Sequence, residues 1–304
     1  MRRTEFRTST GFRTILTLAV AAAAICLAGL PAFGAAGVQV SLASSFNADD
    51  VLRYSGAAFT APGISWDNPT PGGSVDNWMV TQSAANQLAG GGSAVGINDN
   101  GYYPASGARL YDVQLGFTNA TPTGTNVAIR STAVGNFTFN VPNNQYSQFA
   151  IFGSGGSGNS TLTITLTYAT GSPTVLTGVT LPDWYSGAGT SAAGAAGTYF
   201  ALTPAMSRQA AYSFPSGGYQ VPGSAGAYIY GINLAPDSTR VLTSVAVSYT
   251  PSSPGYTVAN FLAAAGAIAA GSTGTATPAP GTFVLLLMGL SVVCWFFLRR
   301  QRKV

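Results

Sequence analysis

The chain has 304 residues, 13 Lys and Arg against 9 Asp and Glu, no His, and 46% hydrophobic residues. Four Arg stand within the first 13 residues and four basic residues within the last six. The stretch 37–277 therefore holds five Arg and eight Asp, a balance of −3, with no His, Lys, Glu or Cys. That composition excludes Ser-His-Asp and Cys-His catalysis, the usual zinc and copper ligand sets, a disulfide framework and a basic footprint for nucleic acid.

Taken in chain order, Arg2, Arg3, Arg7 and Arg13 precede an apolar run, Ile15 to Leu30. Small residues follow in Ala32-Phe33-Gly34 and Gly34-Ala35-Ala36. This is the pattern of a secretory signal peptide, expected over residues 1–36, with an uncleaved signal anchor as the alternative. Residues 37–265 read as one all-β ectodomain. Leu162, Ile164, Leu166 and Tyr168 alternate with Thr161, Thr163, Thr165 and Thr167, a period of two that sets an apolar face against a threonine ladder. Phe137 to Val141, stopped by Pro142-Asn143-Asn144, Val175 to Leu181, Tyr228 to Leu234, and Val241 to Tyr249 repeat that alternation. Weaker strand candidates are Val38 to Leu42, Leu110 to Phe117, Val127 to Ser131, and Phe149 to Phe152. No amphipathic helix is expected between 37 and 255, and Ala-rich Asn260 to Ala270 reads as a short helix. Gly153 to Gly158 and Gly187 to Gly197 read as loops. Short strands separated by Gly, Pro and Asn predict an antiparallel β-sandwich or barrel. Residues 266–280 read as a Gly/Ala/Thr linker carrying a Pro278-Ala279-Pro280 motif. Residues 281–298 are free of charge and would extend about 27 Å as a helix, long enough to span a bilayer. The basic tail 299–304 would stay cytoplasmic.

The tail from Pro278 to Lys303 resembles the PEP-CTERM sorting signal of Gram-negative bacteria: Pro-Glu-Pro, Gly-Thr, an apolar helix and an Arg-rich end. Ala279 replaces the family's Glu. The resemblance implies recognition by an exosortase-type membrane enzyme and a place at the cell surface or in the extracellular matrix, with the tail either processed or kept as an anchor. From about Asn126 to Ala265 the order of features resembles a galactose-binding-domain-like jelly-roll sandwich. Asn126-Val127, Phe137 to Pro142, Tyr146 to Phe152, Gly156 to Ser160, Thr161 to Gly171 and Asp183-Trp184 carry that likeness.

Candidate ligand-binding residues follow from what sugar recognition requires, an aromatic face for the C–H side of a pyranose and Asp or Asn for its hydroxyls. Three groups qualify: Trp66, Asp67 and Trp78; Asp99, Tyr102 and Tyr103; Trp184 and Tyr185. Asn98-Asp99-Asn100-Gly101 faintly matches a calcium loop but lacks the distal bidentate carboxylate, so no metal and no cofactor is expected. The expected role is a non-catalytic, exported protein that binds exopolysaccharide or is part of that matrix. The alternatives are an adhesin or assembly subunit working through protein–protein contacts, and a two-Asp glycosidase. The last is disfavoured because the Asp are scattered apart from Asp49-Asp50.

Overall fold

The computed structural model describes residues 37–67, 77–90, 94–116, 129–131, 135–185, 195–222, 226–253, 257–270 and 272. The strands in chain order are β1 (Val38–Val40), β2 (Val51–Tyr54), β3 (Phe59–Thr60), β4 (Asn77–Val80), β5 (Tyr102–Tyr103), β6 (Val113–Gln114), β7 (Ile129–Ser131), β8 (Gly135–Asn144) and β9 (Tyr146–Gly156). They continue with β10 (Ser160–Tyr168), β11 (Thr174–Leu181), β12 (Tyr199–Ala201), β13 (Arg208–Ala210), β14 (Tyr219–Gln220), β15 (Tyr230–Asn233), β16 (Leu242–Pro251) and β17 (Val258–Ile268). A short α-helix, α1 (Gln82–Leu88), follows β4.

These strands form four sheets. A six-stranded sheet runs β1-β17-β9-β15-β12, with β7 also paired to β17. A four-stranded sheet runs β11-β10-β16-β8, a five-stranded one β14-β13-β4-β2-β3, and β5 pairs β6. Pairing is antiparallel throughout the named strands except between β2 and β4.

The jelly-roll sandwich expected from the sequence is corrected here: the described residues form an all-β fold with several antiparallel sheets and, among them, no closed barrel or sandwich. The reason lies in the six-stranded sheet, which is covered on both faces. Phe149 and Ile151 of β9 and Phe261 and Ala264 of β17 pack with Ile164, Leu166 and Val247 of the four-stranded sheet. On the opposite face, Ala150, Phe152, Ala263 and Ala265 pack with Val51, Trp66, Met79, Val113 and Trp184, most of them from the N-terminal half. β9 and β17 are thus buried along nearly their whole length, and a strand buried on both faces reads as a continuous apolar run without alternation. That is why Asn260 to Ala270 looks like a short helix in the sequence and forms most of β17 instead. A register shift between Phe261 and Ala263 marks a bulge at Leu262. It places Leu262 and Ala263 on the same face, so the two-residue period is broken where a strand reading most needed it.

Three smaller corrections have equally local causes. Pro142 does not stop its strand, because β8 is the outermost strand of its sheet and Pro142 falls in the irregular stretch between Asn140 and Asn144 where the register with β16 shifts. Gly153 to Gly156 belong to β9 rather than to a loop. Helix α1 is capped by the Thr81 hydroxyl, which accepts from Ala84 N at 3.4 Å. It buries only Ala84 and Ala85, too narrow a stripe to register as amphipathic.

Among the described residues no helix is long and apolar enough to cross a membrane. The segments 1–36 and 281–298, where the signal peptide and transmembrane helix were expected, lie outside those residues, as do Pro278, Ala279, Pro280 and the basic tail. Among the described residues the transmembrane helix, the membrane and exosortase partners and the anchored localisation have no counterpart, and the expectation is corrected to that extent.

The two faces of β10 give a direct check. Ile164→Ala opens a cavity between sheets and is expected to cost about 2–5 kcal/mol, whereas Thr163→Ala on the outer face should cost less than about 1 kcal/mol. Denaturant titration of the two variants measures both; equal losses would contradict the burial assigned to β10.

Candidate functional site

The sequence candidates fall in three places. The first lies where the turn Ser65-Trp66-Asp67 crosses the end of β9. Gly156 makes the crossing possible: a Cβ there would stand 2.4 Å from the Trp66 carbonyl oxygen and 2.6 Å from Asp67 Cα. Asn260 of β17 donates its side-chain amide to that same carbonyl at 2.9 Å. The Trp66 and Trp184 rings lie 6.1 Å apart, and the Trp184 backbone N–H donates to Gly155 O at 2.8 Å. Tyr185 follows, half-buried, with the Arg208 guanidinium over its ring at 4.0 Å. The fold thus brings Trp66 and Asp67 together with Trp184 and Tyr185, two groups far apart in the sequence. It does so to build a core: Trp66 is 0% and Trp184 1% exposed. Neither offers a face to a sugar ring.

Asp67 is also buried, and it organises this turn. It accepts from the Ser65 hydroxyl at 2.9 Å, from Asn77 N at 3.0 Å and from the Asn77 amide at 2.9 Å. Burial pushes its carboxyl above the ordinary value, and these donors oppose the shift only in part. Asp183 serves a similar end. It accepts from the backbone N–H of Gly158 and, at 2.8 Å, from that of Tyr185, tying the β9–β10 turn to the segment after β11.

The second place is the edge made by β5 and β6. Asp99 accepts from the backbone N–H of Ser83 at 2.8 Å and from its hydroxyl, so it serves the first turn of α1. Asn100 Oδ1 accepts from Tyr102 N at 3.0 Å. Asp99 and Asn100 are therefore engaged in cap and turn bonds. Tyr103 is buried, its hydroxyl accepting from Asn98 N at 3.1 Å, and desolvation pushes it up to about 12. Tyr102 alone of the candidate aromatics is exposed, at 39%, and its hydroxyl donates to Asp112 Oδ2 at 2.7 Å. The third place holds Trp78, 5.6 Å from Phe214 in a separate small cluster and 8% exposed. With three Trp buried, the polysaccharide partner expected from them is corrected as well.

The concave surface lies elsewhere. A cleft of about 240 Å³ is lined by Ser106, Arg109, Tyr111, Gln148, Phe200 and Asn233 among others. Arg109 donates to the carbonyls of Pro104, at 2.6 Å, and Tyr111, and Gln148 is held by Ala108 O and Leu110 N at 2.8 and 2.9 Å. Its polar groups hold its own wall. A groove of about 510 Å³ runs past Gln39, Val40, Leu42, Phe46, Gln114 and Leu115. Neither contains a sequence candidate. Lone Arg and Gln residues in Gly- and Ala-rich surroundings gave no pattern by which to find them.

The carboxylates have structural partners in most cases. Asp49 holds Arg53 through two bonds of 2.8 and 2.9 Å in the interior, and Asp237 accepts from Thr239 N at 2.9 Å. No family model, curated protein or solved structure matches the chain.

Asp67 yields a pH prediction. Its folded-state value lies above the unfolded one, so its contribution is fully present below the unfolded value near 3.8 and is lost as pH rises through the folded value. Asp67→Asn does not titrate. The stability of the parent relative to this variant should therefore be greater at pH 3.5 than at pH 7; a gap that widens toward pH 7 would contradict the desolvated Asp67.

Proposed function

We propose that the chain is a non-catalytic structural protein that acts through protein–protein contacts, assembling with copies of itself. One observation carries this reading: the four-stranded sheet has no Asp, Glu, Lys or Arg in any of its strands. Its outer face is a neutral grid. Thr161 stands between Thr180 and Thr250, Thr163 beside Ser248, and Thr165 between Val175 and Ala246. Asn136, Thr138 and Asn140 of β8 continue the rows.

Charge on edge strands is a common defence against sheet-to-sheet pairing, and net charge keeps chains apart. β11 lies at one edge of this sheet with neither charge nor Pro, and Val175 is 52% exposed. A single bulge, with Gly178 at φ +67, is the one device that interrupts it. An enzymatic reading has less to work with, since the hydrogen bonds of Asp67, Asp99, Asp112, Asp183 and Asp237 close turns and cap a helix.

Sedimentation of the full chain over a hundredfold concentration range tests the proposal. Concentration-dependent association is expected, and Val175→Lys should shift it toward monomer with the circular dichroism spectrum unchanged. A chain that stays monomeric at every concentration would exclude it.

A further inference from the structure

We infer that the fold holds one internal water molecule between the central sheet and the Trp66 turn, bound by Asn260, Ser154 and Trp66. Asn260 and Ser154 are both 0% exposed and stand directly opposite each other on β17 and β9. Directly opposite residues in an antiparallel pair share a face, with Cβ atoms about 4.5–5.5 Å apart, a separation that one water can bridge. The face is the one toward Trp66, because the Asn260 amide donates to the Trp66 carbonyl at 2.9 Å.

These three neighbouring residues each carry a buried polar atom without a partner among the described residues: Asn260 Oδ1, Ser154 Oγ and Trp66 Nε1. All belong to side chains buried to the last per cent. Buried polar groups are almost always satisfied, and an internal water typically makes about three hydrogen bonds. The set matches water in kind. Asn260 Oδ1 accepts, the Trp66 indole N–H donates, and the Ser154 hydroxyl does either. A metal cation would face the indole N–H, which has no lone pair to offer, so the ligand is water. Exchange with bulk is expected to be slow, because Trp66, Ser154 and Asn260 are all 0% exposed.

The inference is independent of the assembly proposed above, and its test is spectroscopic. In the full-length protein, the Trp66 indole proton, assigned by its loss in Trp66→Phe, should show a nuclear Overhauser cross-peak to water with the sign of a long-lived bound molecule. Ser154→Val, which replaces a ligand with a methyl, should abolish that cross-peak. A crystal structure at high resolution should place one ordered water within hydrogen-bond distance of Asn260 Oδ1 and Ser154 Oγ. A dry site in that structure, with the two side chains bonded directly, would overturn the inference, as would an indole proton without a water cross-peak. Should Ser154→Val fail to fold, the parent protein alone decides the matter.

Discussion

The pairing of β9 with β17 is the contact on which the other layers rest. Ten register pairs join them, from Val258↔Gly156 to Ile268↔Tyr146, and both faces of the pair are covered by other parts of the chain. A strand in that position has little room. It must be apolar to be buried twice, and slim enough for sheets packed about 10 Å apart on either side. β17 meets this with Asn-Phe-Leu-Ala-Ala-Ala-Gly-Ala-Ile, and β9 with four Gly and Ser residues where the N-terminal turn crosses it. Beside Phe149, Phe152 and Phe261 of the pair itself, further large side chains come from outside: Trp66, Trp184 and Tyr111 on one face, Phe139 and Tyr249 on the other.

This arrangement accounts for how the few charges are used. With the interior spread over three layers, many turns are pressed against buried surface, and their backbone N–H groups need acceptors. Asp67, Asp112 and Asp183 fill that role. Arg109 and Arg240 do the complementary work, donating to the carbonyls of neighbouring loops, and Arg240 also lies 3.9 Å over Tyr168. Ionisable groups thus hold loops in place, and the outward face of the four-stranded sheet is left neutral. Self-assembly is the reading that makes use of that neutrality.

Legibility in the sequence followed the number of wet faces. β10 and β16 have one face on the core and one on solvent, and their alternation located them to within two residues; β11 was located as closely, but its bulge at Gly178 breaks the alternation, so Val175 turns outward while Val179 and Leu181 are buried. β9 and β17 have no wet face, so the signal that marks a strand is absent. In β17 the Leu262 bulge and the Ala run removed what remained. β2, β3, β4, β13 and β14 are two to four residues long, shorter than the window in which alternation can be counted. The candidate site failed for a related reason. A Trp beside Asp and Asn has the same composition whether it lines a binding face or closes a turn, and burial is decided by contacts distant in sequence, such as Asn260 with the Trp66 carbonyl. Tyr102, the one candidate aromatic left open, carries no local mark that separates it from its buried neighbour Tyr103.

Hydrogen exchange followed by mass spectrometry on the full chain tests the doubly covered central sheet most directly. The backbone amides of residues 146–156 and 258–268 should be the last to exchange, opening only with global unfolding, while those of β11 at the sheet edge exchange earlier. Rapid exchange across 258–268, at the rate of exposed turns, would contradict the account.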